Sequence, residues 1–378
     1  MNDDSAFDVA IVGAGIAGAS VAWRLAPHLS VALLERESQP GYHSTGRSAA
    51  MFEESYGPPA VRALTRASRA FYTHPPPAFT DVPVLSPRGA MFLAAPGQQA
   101  LLAEARAALQ PTCPALQLVP RDAALARVPC LRPEAVHAAL LDEDGQDIDV
   151  HALHQGFLRG MRRHGGVLRT SAALQTAARS GAGWELRLVD GTALRCSHVV
   201  NAAGAWADEV AALCGAAPVG LEPRRRSAFT FKVPEGEDAS RWPCVIGIDE
   251  SWYFKPDAGQ LLGSAANADP TFPHDVQPEE LDVATGIARI EAVSTLTIRR
   301  PTRTWAGLRS FVRDGEMVIG WDDACRGFFW LAAQGGYGIQ SAAAASELAA
   351  ALVLGAPIPE SLARHGVDPR ALSPQRLR

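Results

Sequence analysis

The chain has 378 residues, of which 47% are apolar, and its formal net charge is −5. This length fits two domains, or one large α/β domain with an insertion, better than a single compact core. The mild negative charge gives no reason to expect nucleic acid or an anionic membrane surface as a partner. The sequence also has no run of about 18 uncharged apolar residues that would predict a transmembrane helix.

The N-terminal stretch "MNDDSAFDVAIVG" carries acids where a secretory signal has a basic region. None of the six cysteines belongs to a C-x-x-C pair, and no histidine–cysteine cluster has the spacing of a metal site. We therefore expect reduced thiols, no bound metal and a cytoplasmic location.

The first forty residues predict a β-α-β unit. Residues 7–12, "FDVAIV", form a short apolar run rich in β-branched residues, which is typical of a buried parallel strand. The glycine-rich stretch "GAGIAG" follows, and then "ASVAWRLAPHL" has apolar residues at helical spacing. A second strand, "VALLE", ends at Glu35.

The glycines and the acid of this unit predict a dinucleotide site. Gly13 permits the tight turn out of the strand, Gly15 lets the backbone approach a pyrophosphate, and Gly18 lets helix and strand pack closely. Glu35 lies 20 residues after Gly15, where a carboxylate can accept hydrogen bonds from ribose hydroxyls. The unit alone leaves NAD and FAD as alternatives.

Further along the chain, segments of helical and strand periodicity alternate. Helices are expected near 58–75, 98–109, 149–163, 205–214 and 278–293, and a long alanine-rich helix is expected near the C-terminus. Strands are expected at 89–95, 227–233, 244–248, 252–255 and 260–264. In the loop 41–57, a helix beginning near Ser48 is compatible with the sequence. We expect the C-terminal "SPQRLR" to be frayed.

Several of these stretches together resemble one flavoprotein family, that of the D-amino acid oxidases and the glycine or sarcosine oxidases. They include "IVGAGIAGAS", "LERE", "QPGYHSTGRSAA", "VNAAGAW", "RRSAF", "TWAGLRSF" and "AAQGGYGIQ". The similarity covers nearly the whole chain, and within the family it is greatest to the bacterial D-arginine dehydrogenases.

The resemblance implies FAD rather than NAD as the cofactor. It also implies oxidation of the Cα–N bond of a D-amino acid by hydride transfer to flavin N5, after which the imino acid hydrolyses to a keto acid and ammonia. The partner is then a small amino acid or amine, with a quinone-like acceptor or O₂ taking the electrons. The oligomeric state is left open.

The implied fold class is α/β: a doubly wound Rossmann-type FAD-binding domain plus a mixed-sheet α+β substrate domain. Both domains are expected to be discontinuous. The FAD-binding domain would comprise 1–83, 147–222 and 306–378, and the substrate-binding domain would comprise 84–146 and 223–305.

The resemblance also implies which residues contact the cofactor. The loop 41–57 is similar to the family segment that runs along the flavin and then over the substrate. The N–H groups of the glycine-rich tract 334–340 would stabilise negative charge on the reduced flavin. The expected cofactor residues are Gly13, Gly15, Ile16, Ala17, Gly18, Glu35, Arg36, Ser44, Thr45, Gly46, Arg47, Ser48, Ala202, Ala203, Gly204, Trp206, Gly335, Gly336, Tyr337, Gly338 and Ile339.

Five residues match substrate-contacting positions of the family. Arg309 would fork onto the substrate carboxylate and thereby fix Cα for hydride transfer. Arg226, Tyr253 and Tyr56 would contact the same substrate, and Gly307 would offer its carbonyl to the amine. The alternatives are a surface arginine for Arg309, a solvated charge run for Arg226 and a core role for Tyr253.

The sequence departs from the D-arginine dehydrogenase pattern at two positions in the expected substrate cavity. Met51 stands where those sequences carry a histidine, and Ala90 stands where they carry an acid. Loss of the acid disfavours a guanidinium side chain, because a desolvated cation without a partner is costly. The resemblance implies that residues 51–56 face or gate the substrate, and we call this segment the lid. Its acids Glu53 and Glu54 could bind a cation from the opposite side, but we expect them to be solvated. A neutral or apolar side chain, or a larger unusual amine, is therefore favoured.

Two other functions stay open on the sequence alone. One is an oxidase of N-substituted glycines or another amine that passes electrons to O₂. The other is a flavin-binding protein without catalysis, which the presence of both Arg309 and Tyr253 disfavours.

Overall fold

A computed structural model describes residues 5–378. The prediction that no signal sequence is present depends on residues 1–4, which lie outside the described residues. In chain order the strands are β1 (Ser5–Val12), β2 (Val31–Leu34), β3 (Met51–Phe52), β4 (Leu85–Pro87), β5 (Ala90–Ala94), β6 (Gln117–Pro120), β7 (Ala138–Asp142), β8 (Gln146–Ile148), β9 (Val167–Arg169), β10 (Leu174–Ser180), β11 (Gly183–Leu188), β12 (Ala193–Asn201), β13 (Glu222–Phe231), β14 (Cys244–Gly247), β15 (Tyr253–Asp257), β16 (Gln260–Ser264), β17 (Asp269–Pro270), β18 (Arg303–Phe311), β19 (Val318–Trp321) and β20 (Phe328–Ala332).

The helices lie between these strands and after the last of them. They are α1 (Ile16–Leu25), α2 (Pro59–Thr73), α3 (Gln99–Leu109), α4 (Arg121–Arg127), α5 (Val150–Arg163), α6 (Ala207–Leu213), α7 (Glu280–Val293), α8 (Gly338–Val353), α9 (Glu360–Ala363) and α10 (Pro369–Leu372).

The first sheet has eight strands, of which β9, β2, β1, β12 and β20 run parallel at its centre. The β10–β11 hairpin and β19 add antiparallel strands at its edges. Val9 and Ile11 of β1 are buried against α1, α5 and α8, whereas Ala10 and Val12 are buried on the opposite face with α6. Because both faces of the sheet are covered, residues 9–12 of β1 are all apolar.

The second sheet has nine strands, in the order β17-β13-β16-β15-β14-β5-β7-β6, with β18 paired to β13. Its longest ladder joins β13 to β18 and places Arg226 opposite Gly307 and Arg224 opposite Arg309. A third, three-stranded sheet of β3, β8 and β4 lies in the segments that connect the other two. The α/β class with a mixed second sheet is confirmed, while the domain boundaries stay a prediction; β18 crosses the expected boundary at 305/306.

Two local expectations are wrong. No helix begins near Ser48, because Ser44–Arg47 forms a single 3₁₀ turn, β3 follows, and the next helix begins at Pro59. The C-terminal segment is also docked rather than frayed. Arg376 contacts Asp314 at 2.8 Å, and Arg378 forms an ion pair with Asp322.

The turn between β1 and α1 comes very close to the end of β12. Gly13 donates its N–H to the Leu34 carbonyl at 2.7 Å and has φ of 101°. A Cβ added to Gly13 would lie 2.4 Å from the carbonyl oxygen of Ala202, at the end of β12. Glycine is therefore required both for the positive φ and for the contact between neighbouring strand ends. Within the described part of the chain, no helix is long and apolar enough to cross a membrane.

We expect Gly13→Ala to destabilise the fold more than Gly191→Ala. Both glycines have positive φ, but an added Cβ at Gly191 would meet nothing within 4 Å. Backbone strain alone predicts that Gly191→Ala lowers the free energy of unfolding by about 1 kcal/mol. Overpacking adds to the strain at Gly13, so Gly13→Ala should lower it by about 2–4 kcal/mol. Urea unfolding of the two variants checks this, and equal losses would contradict the close contact.

Candidate active site

The carboxyl ends of β1, β2 and β12 enclose an open cleft of about 320 Å³, which we call the dinucleotide cleft. Ten predicted cofactor residues line it, together with His43, Leu174 and Glu209, which the sequence analysis did not single out. The ten are Gly13, Gly15, Glu35, Arg36, Ser44, Thr45, Ala202, Ala203, Gly204 and Trp206.

Two side chains are held in place at the floor of this cleft. Glu35 is 7% exposed, and its carboxylate accepts hydrogen bonds from the N–H groups of Ala14 at 2.9 Å and Glu37 at 3.0 Å. Thr45 Oγ1 accepts from the N–H of Ile16 at 3.0 Å, in the first turn of α1. These bonds fix the Glu35 carboxylate beside the glycine turn, where its other lone pairs can accept ribose hydroxyls.

The segment 44–48 is tied to β18 along its length. Ser44 Oγ donates to the Leu308 carbonyl at 2.6 Å, and Arg47 Nη1 donates to the Ala306 carbonyl at 3.1 Å. Trp305 Nε1 in turn donates to the Arg47 carbonyl at 3.0 Å. The segment therefore links the first sheet to the second and forms a wall between them.

A middle cavity of about 100 Å³ continues from the cleft behind this wall. It shares Ser44 and Thr45 with the cleft and shares Arg226, Tyr253 and Arg309 with a third cavity, so the three form one series. Other predicted residues that line the middle cavity are Ile16, Arg47, Ser48, Gly307, Gly335, Gly336, Gly338 and Ile339.

The middle cavity has the features that a flavin ring requires. The buried Gln334 Nε2 has no hydrogen-bond partner within residues 5–378 and lies in the cavity wall. A Cβ on Gly336 would come within 2.9 Å of Arg309 Nη1, so glycine leaves room between the backbone tract and the guanidinium. Together with the dinucleotide cleft, these residues fit FAD: the cleft can hold the adenosine and pyrophosphate, and the middle cavity can hold the isoalloxazine.

Four predicted cofactor residues do not line this route. Ala17, Gly18 and Gly46 line neither the dinucleotide cleft nor the middle cavity, and Gly18 is a packing residue, because an added Cβ would lie 1.8 Å from the Gly13 carbonyl oxygen. Tyr337 instead packs edge-on against Tyr56, with ring centroids 4.9 Å apart, and lines a separate cavity. Their roles as direct cofactor contacts are not supported by this arrangement.

The third cavity, which we call the arginine cavity, is about 90 Å³. The cavity borders on β13, which carries three consecutive arginines, and each of these arginines has different partners. Arg224 forms an ion pair with Glu222, and Arg225 forms one with Asp282 at 2.9 Å. Arg226 faces the cavity, and its Nε donates to a backbone carbonyl at 2.6 Å. Within residues 5–378, no carboxylate lies within ion-pair distance of Arg226 or of Arg309.

Arg309 and Arg226 place two positive charges on the same cavity. Arg309 Nη1 donates to the Tyr56 hydroxyl at 3.0 Å, and Tyr253 lines the same space. Burial, followed by the charge of Arg309, lowers the pKa of Arg226 to about 10. Burial also lowers the pKa of Arg309, but the phenol oxygens of Tyr56 and Tyr253 outweigh it, so the net shift is upward. Both guanidiniums are therefore charged near neutral pH.

The opposite wall of the arginine cavity carries Met51 and Glu53. Glu53 is only 4% exposed, which corrects the expectation of a solvated lid acid. Burial, then the nearby negative charges of Asp142 and Glu250, raise the pKa of Glu53 to about 8. Glu54 lies outside the cavity, where it pairs with Arg69. Only one of the two acids therefore faces the site, and it is protonated at neutral pH.

Gln340, at the start of α8, braces the lid that carries Glu53. Its Oε1 accepts from the N–H of Glu53 at 3.3 Å. Its Nε2 donates to Thr65 Oγ1 of α2 at 3.0 Å and to the Tyr56 carbonyl at 3.4 Å. The lid is therefore bonded to α8, and the same amide side chain joins α8 to α2.

The prediction that Ala90 lies in the cavity wall is wrong. Ala90 is buried in β5, and Phe92, two residues along the same strand face, lines the cavity instead. Glu250 also lines it and was missed, although it stands three residues before Tyr253, in a turn with φ of 54°. Other wall residues that the sequence analysis did not single out are Ala49, Ala50, Cys244, Ile246 and Ala266. Among the described residues, no group of three or more His, Cys, Asp or Glu side chains is arranged to hold a metal.

Comparisons with known proteins agree with this geometry. The family described as "DAO: FAD dependent oxidoreductase" matches residues 8–352. Mitochondrial dimethylglycine dehydrogenase of Homo sapiens is 27% identical over 136 residues, which is 35% of this chain; the chain thus spans 16% of that enzyme's length.

Two solved structures share the fold at low sequence identity. Glycine oxidase from Geobacillus kaustophilus superposes with a TM-score of 0.83 at 21% identity, covering 96% of this chain and 99% of that one. L-alpha-glycerophosphate oxidase from Mycoplasma pneumoniae, solved with FAD bound, superposes with a TM-score of 0.82 at 17% identity, covering 93% and 95%. The cofactor of this fold is FAD, and the chain belongs to the DAO family of FAD-dependent oxidoreductases.

Proposed function

We propose that the protein oxidises the Cα–N bond of a D-amino acid. The observation that carries the proposal is the pair of guanidiniums, Arg226 and Arg309, which face a cavity continuous with the middle cavity and have no carboxylate partner within residues 5–378. Two partly desolvated cations side by side attract an anion, and the α-carboxylate of an amino acid supplies one with the matching planar geometry.

Each residue of the cavity then has a distinct task. Arg309, held by its bond to the Tyr56 hydroxyl, grips the carboxylate and orients Cα toward the middle cavity. Arg226 and Tyr253 bind the same carboxylate from β13 and β15, and the carbonyl of Gly307 accepts a hydrogen bond from the substrate amine. The residues of the dinucleotide cleft and the middle cavity would hold FAD, which would supply the acceptor for the hydride from Cα; hydrolysis of the imino acid by water would then give a keto acid and ammonia. The D configuration is the one that the sequence resemblance favours.

The range of side chains is proposed to differ from that of the D-arginine dehydrogenases. Met51 adds a flexible apolar surface to the cavity wall, and the protonated Glu53 offers a neutral hydrogen-bonding group rather than a counter-ion. A neutral side chain is therefore favoured near pH 7. Because Ala90 does not reach the cavity, its contribution is limited to packing behind Phe92.

A second candidate is the oxidation of an N-substituted glycine with O₂ as the acceptor. The similarity to dimethylglycine dehydrogenase and glycine oxidase favours it, and so does the small volume of the arginine cavity, about 90 Å³. Such a substrate would present the same carboxylate to Arg226 and Arg309, so the two candidates differ in what surrounds the amine.

Anaerobic flavin reduction separates the candidates. The FAD-loaded protein is mixed with neutral D-amino acids, D-arginine, D-lysine, the L-isomers, sarcosine and N,N-dimethylglycine, and the loss of oxidised-flavin absorbance is followed. We expect neutral D-amino acids to reduce the flavin about 10-fold faster or more than their L-isomers and the N-methyl glycines. Faster reduction by sarcosine would instead select the second candidate, and no reduction by any compound would indicate a flavoprotein without this activity. The rate of reoxidation in air then identifies an oxidase or a dehydrogenase.

Arg309→Lys is expected to lower kcat/KM for the best substrate by about 10- to 100-fold, because a forked, charge-assisted pair of hydrogen bonds is lost while the charge is kept. Arg224→Lys is the matched control, since Arg224 lies directly opposite Arg309 in the ladder but pairs with Glu222 outside the cavity. Steady-state kinetics check the prediction, and an unchanged kcat/KM in Arg309→Lys would remove the carboxylate-binding role.

Because Glu53 lines the arginine cavity and has a raised pKa, we expect the preference for cationic side chains to increase with pH. Its raised pKa means that the carboxyl is neutral below about 8 and ionised above it. The ratio of kcat/KM for D-lysine to that for D-norleucine should therefore rise about 5- to 10-fold between pH 7 and pH 9, while the shared α-amine titration cancels from the ratio.

The matched variants for this test are Glu53→Gln and Glu54→Gln. The rise should disappear in Glu53→Gln and persist in Glu54→Gln, because Glu54 pairs with Arg69 outside the cavity. A ratio that stays flat with pH in the unmodified protein would show that Glu53 does not face the substrate side chain.

A further inference from the structure

A fourth cavity, of about 330 Å³, lies on the far side of Tyr56 from the middle cavity. It borders the arginine cavity through three shared residues, Tyr56, Phe92 and Glu250. It shares no lining residue with the dinucleotide cleft or the middle cavity, so it is not part of the route for FAD. We call it the distal cavity.

Two buried polar atoms at the distal cavity have no partner. Ser55 is 6% exposed, and neither its Oγ nor the Nε of Arg62 meets a hydrogen-bond partner within residues 5–378. No carboxylate of the described chain lies within ion-pair distance of Arg62 either. Arg62 is partly buried and lines the cavity, and its guanidinium forms no hydrogen bond or ion pair within residues 5–378, so it offers an unpaired cation to an anion in this space.

The rest of the wall restricts the chemistry of that ligand. Leu109, Leu140 and Ile248 make most of the wall apolar, which suits a chain of methylene groups. Glu250 is exposed and lies at the border with the arginine cavity, which it also lines. Arg62 is thus the charged group that selects the ligand, and a guanidinium next to a hydroxyl matches a carboxylate.

We propose that the distal cavity binds a second carboxylate at the far end of an extended amine substrate. The proposal rests on the proposed function, since the near end of the same molecule would be the amino acid held by Arg226 and Arg309. The linking methylene chain passes between Tyr56 and Glu250, where the two cavities meet. The substrate range therefore extends, beyond amino acids with neutral side chains, to long-chain 2-amino dicarboxylates.

Binding of simple diacids tests the site without any turnover. Adipate, pimelate and suberate are titrated into the FAD-loaded protein by calorimetry, each beside the monoacid of equal length: hexanoate, heptanoate and octanoate. At the length that spans both cavities, we expect the diacid to bind about 10-fold tighter or more, because it gains a charge-assisted hydrogen bond at Arg62.

Substitutions in α2 and at Ser55 test whether Arg62 causes the preference for diacids. Arg62→Gln should abolish the preference, and Arg62→Lys should keep part of it because the charge remains. Ser55→Ala should reduce it. Arg66→Gln is the matched control, because Arg66 lies one turn further along α2 and does not line the cavity.

Equal binding of diacids and monoacids at every length, or a preference that survives in Arg62→Gln, would overturn the proposal. Its failure is distinct from failure of the proposed function, which the flavin-reduction panel decides. A diacid preference that depends on Arg62 supports the distal site even where no amine reduces the flavin. Conversely, amino acids can reduce the flavin while diacids show no preference, and that result removes the distal site alone.

Discussion

The site depends first on the contact between two strand ends in the first sheet. The β1–α1 turn at Gly13 lies so close to the Ala202 carbonyl that no side chain fits between them. This contact sets the distance between α1 and the loop after β12, and Glu35 is bonded to the same turn through the N–H of Ala14. Thr45 then fixes the next segment to the first turn of α1, and from there the chain runs along β18 into the lid. A displacement of this turn would therefore displace the walls of all three cavities in the series.

The second organising feature is a separation of charge across the arginine cavity. Arg226 and Arg309 stand on one side, while the buried carboxyl of Glu53 stands on the other. Behind Glu53, Asp147 already bridges Arg88 at 2.7 Å and Lys255 at 2.5 Å, so the positive charge there is neutralised locally and does not ionise Glu53. The cavity thus holds a permanent cationic end and an end whose charge depends on proton activity and on the occupant.

The sequence was enough to predict those elements whose glycine positions and apolar periodicity lie within a single short segment. The β1–α1–β2 unit, with Glu35 at its end, was predicted because glycine positions and apolar periodicity act over short range. Local sequence could not show which of the consecutive arginines faces the cavity. Arg225 forms ion pairs with acids of β17 and α7, which are distant in sequence, whereas Arg226 forms none within the described chain. Glu53 was expected in solvent because nothing nearby in sequence shows that β14 and α8 cover it. Long-range packing also decided that Phe92, not Ala90, reaches the cavity.

The bracing of the lid by Gln340 has a consequence for how a substrate arrives. Loops over active sites commonly open as independent flaps, but here the lid backbone at Glu53 and Tyr56 is joined through one amide side chain to α8 and to Thr65 of α2. Lifting the lid would break two hydrogen bonds, those that Gln340 forms with the Glu53 N–H and with the Tyr56 carbonyl, and would expose a buried carboxyl. Ingress through the space beside Arg62 and Glu250 requires none of these to break. Under the proposed function, a substrate that enters by this route reaches Arg226 and Arg309 with its amino acid end first.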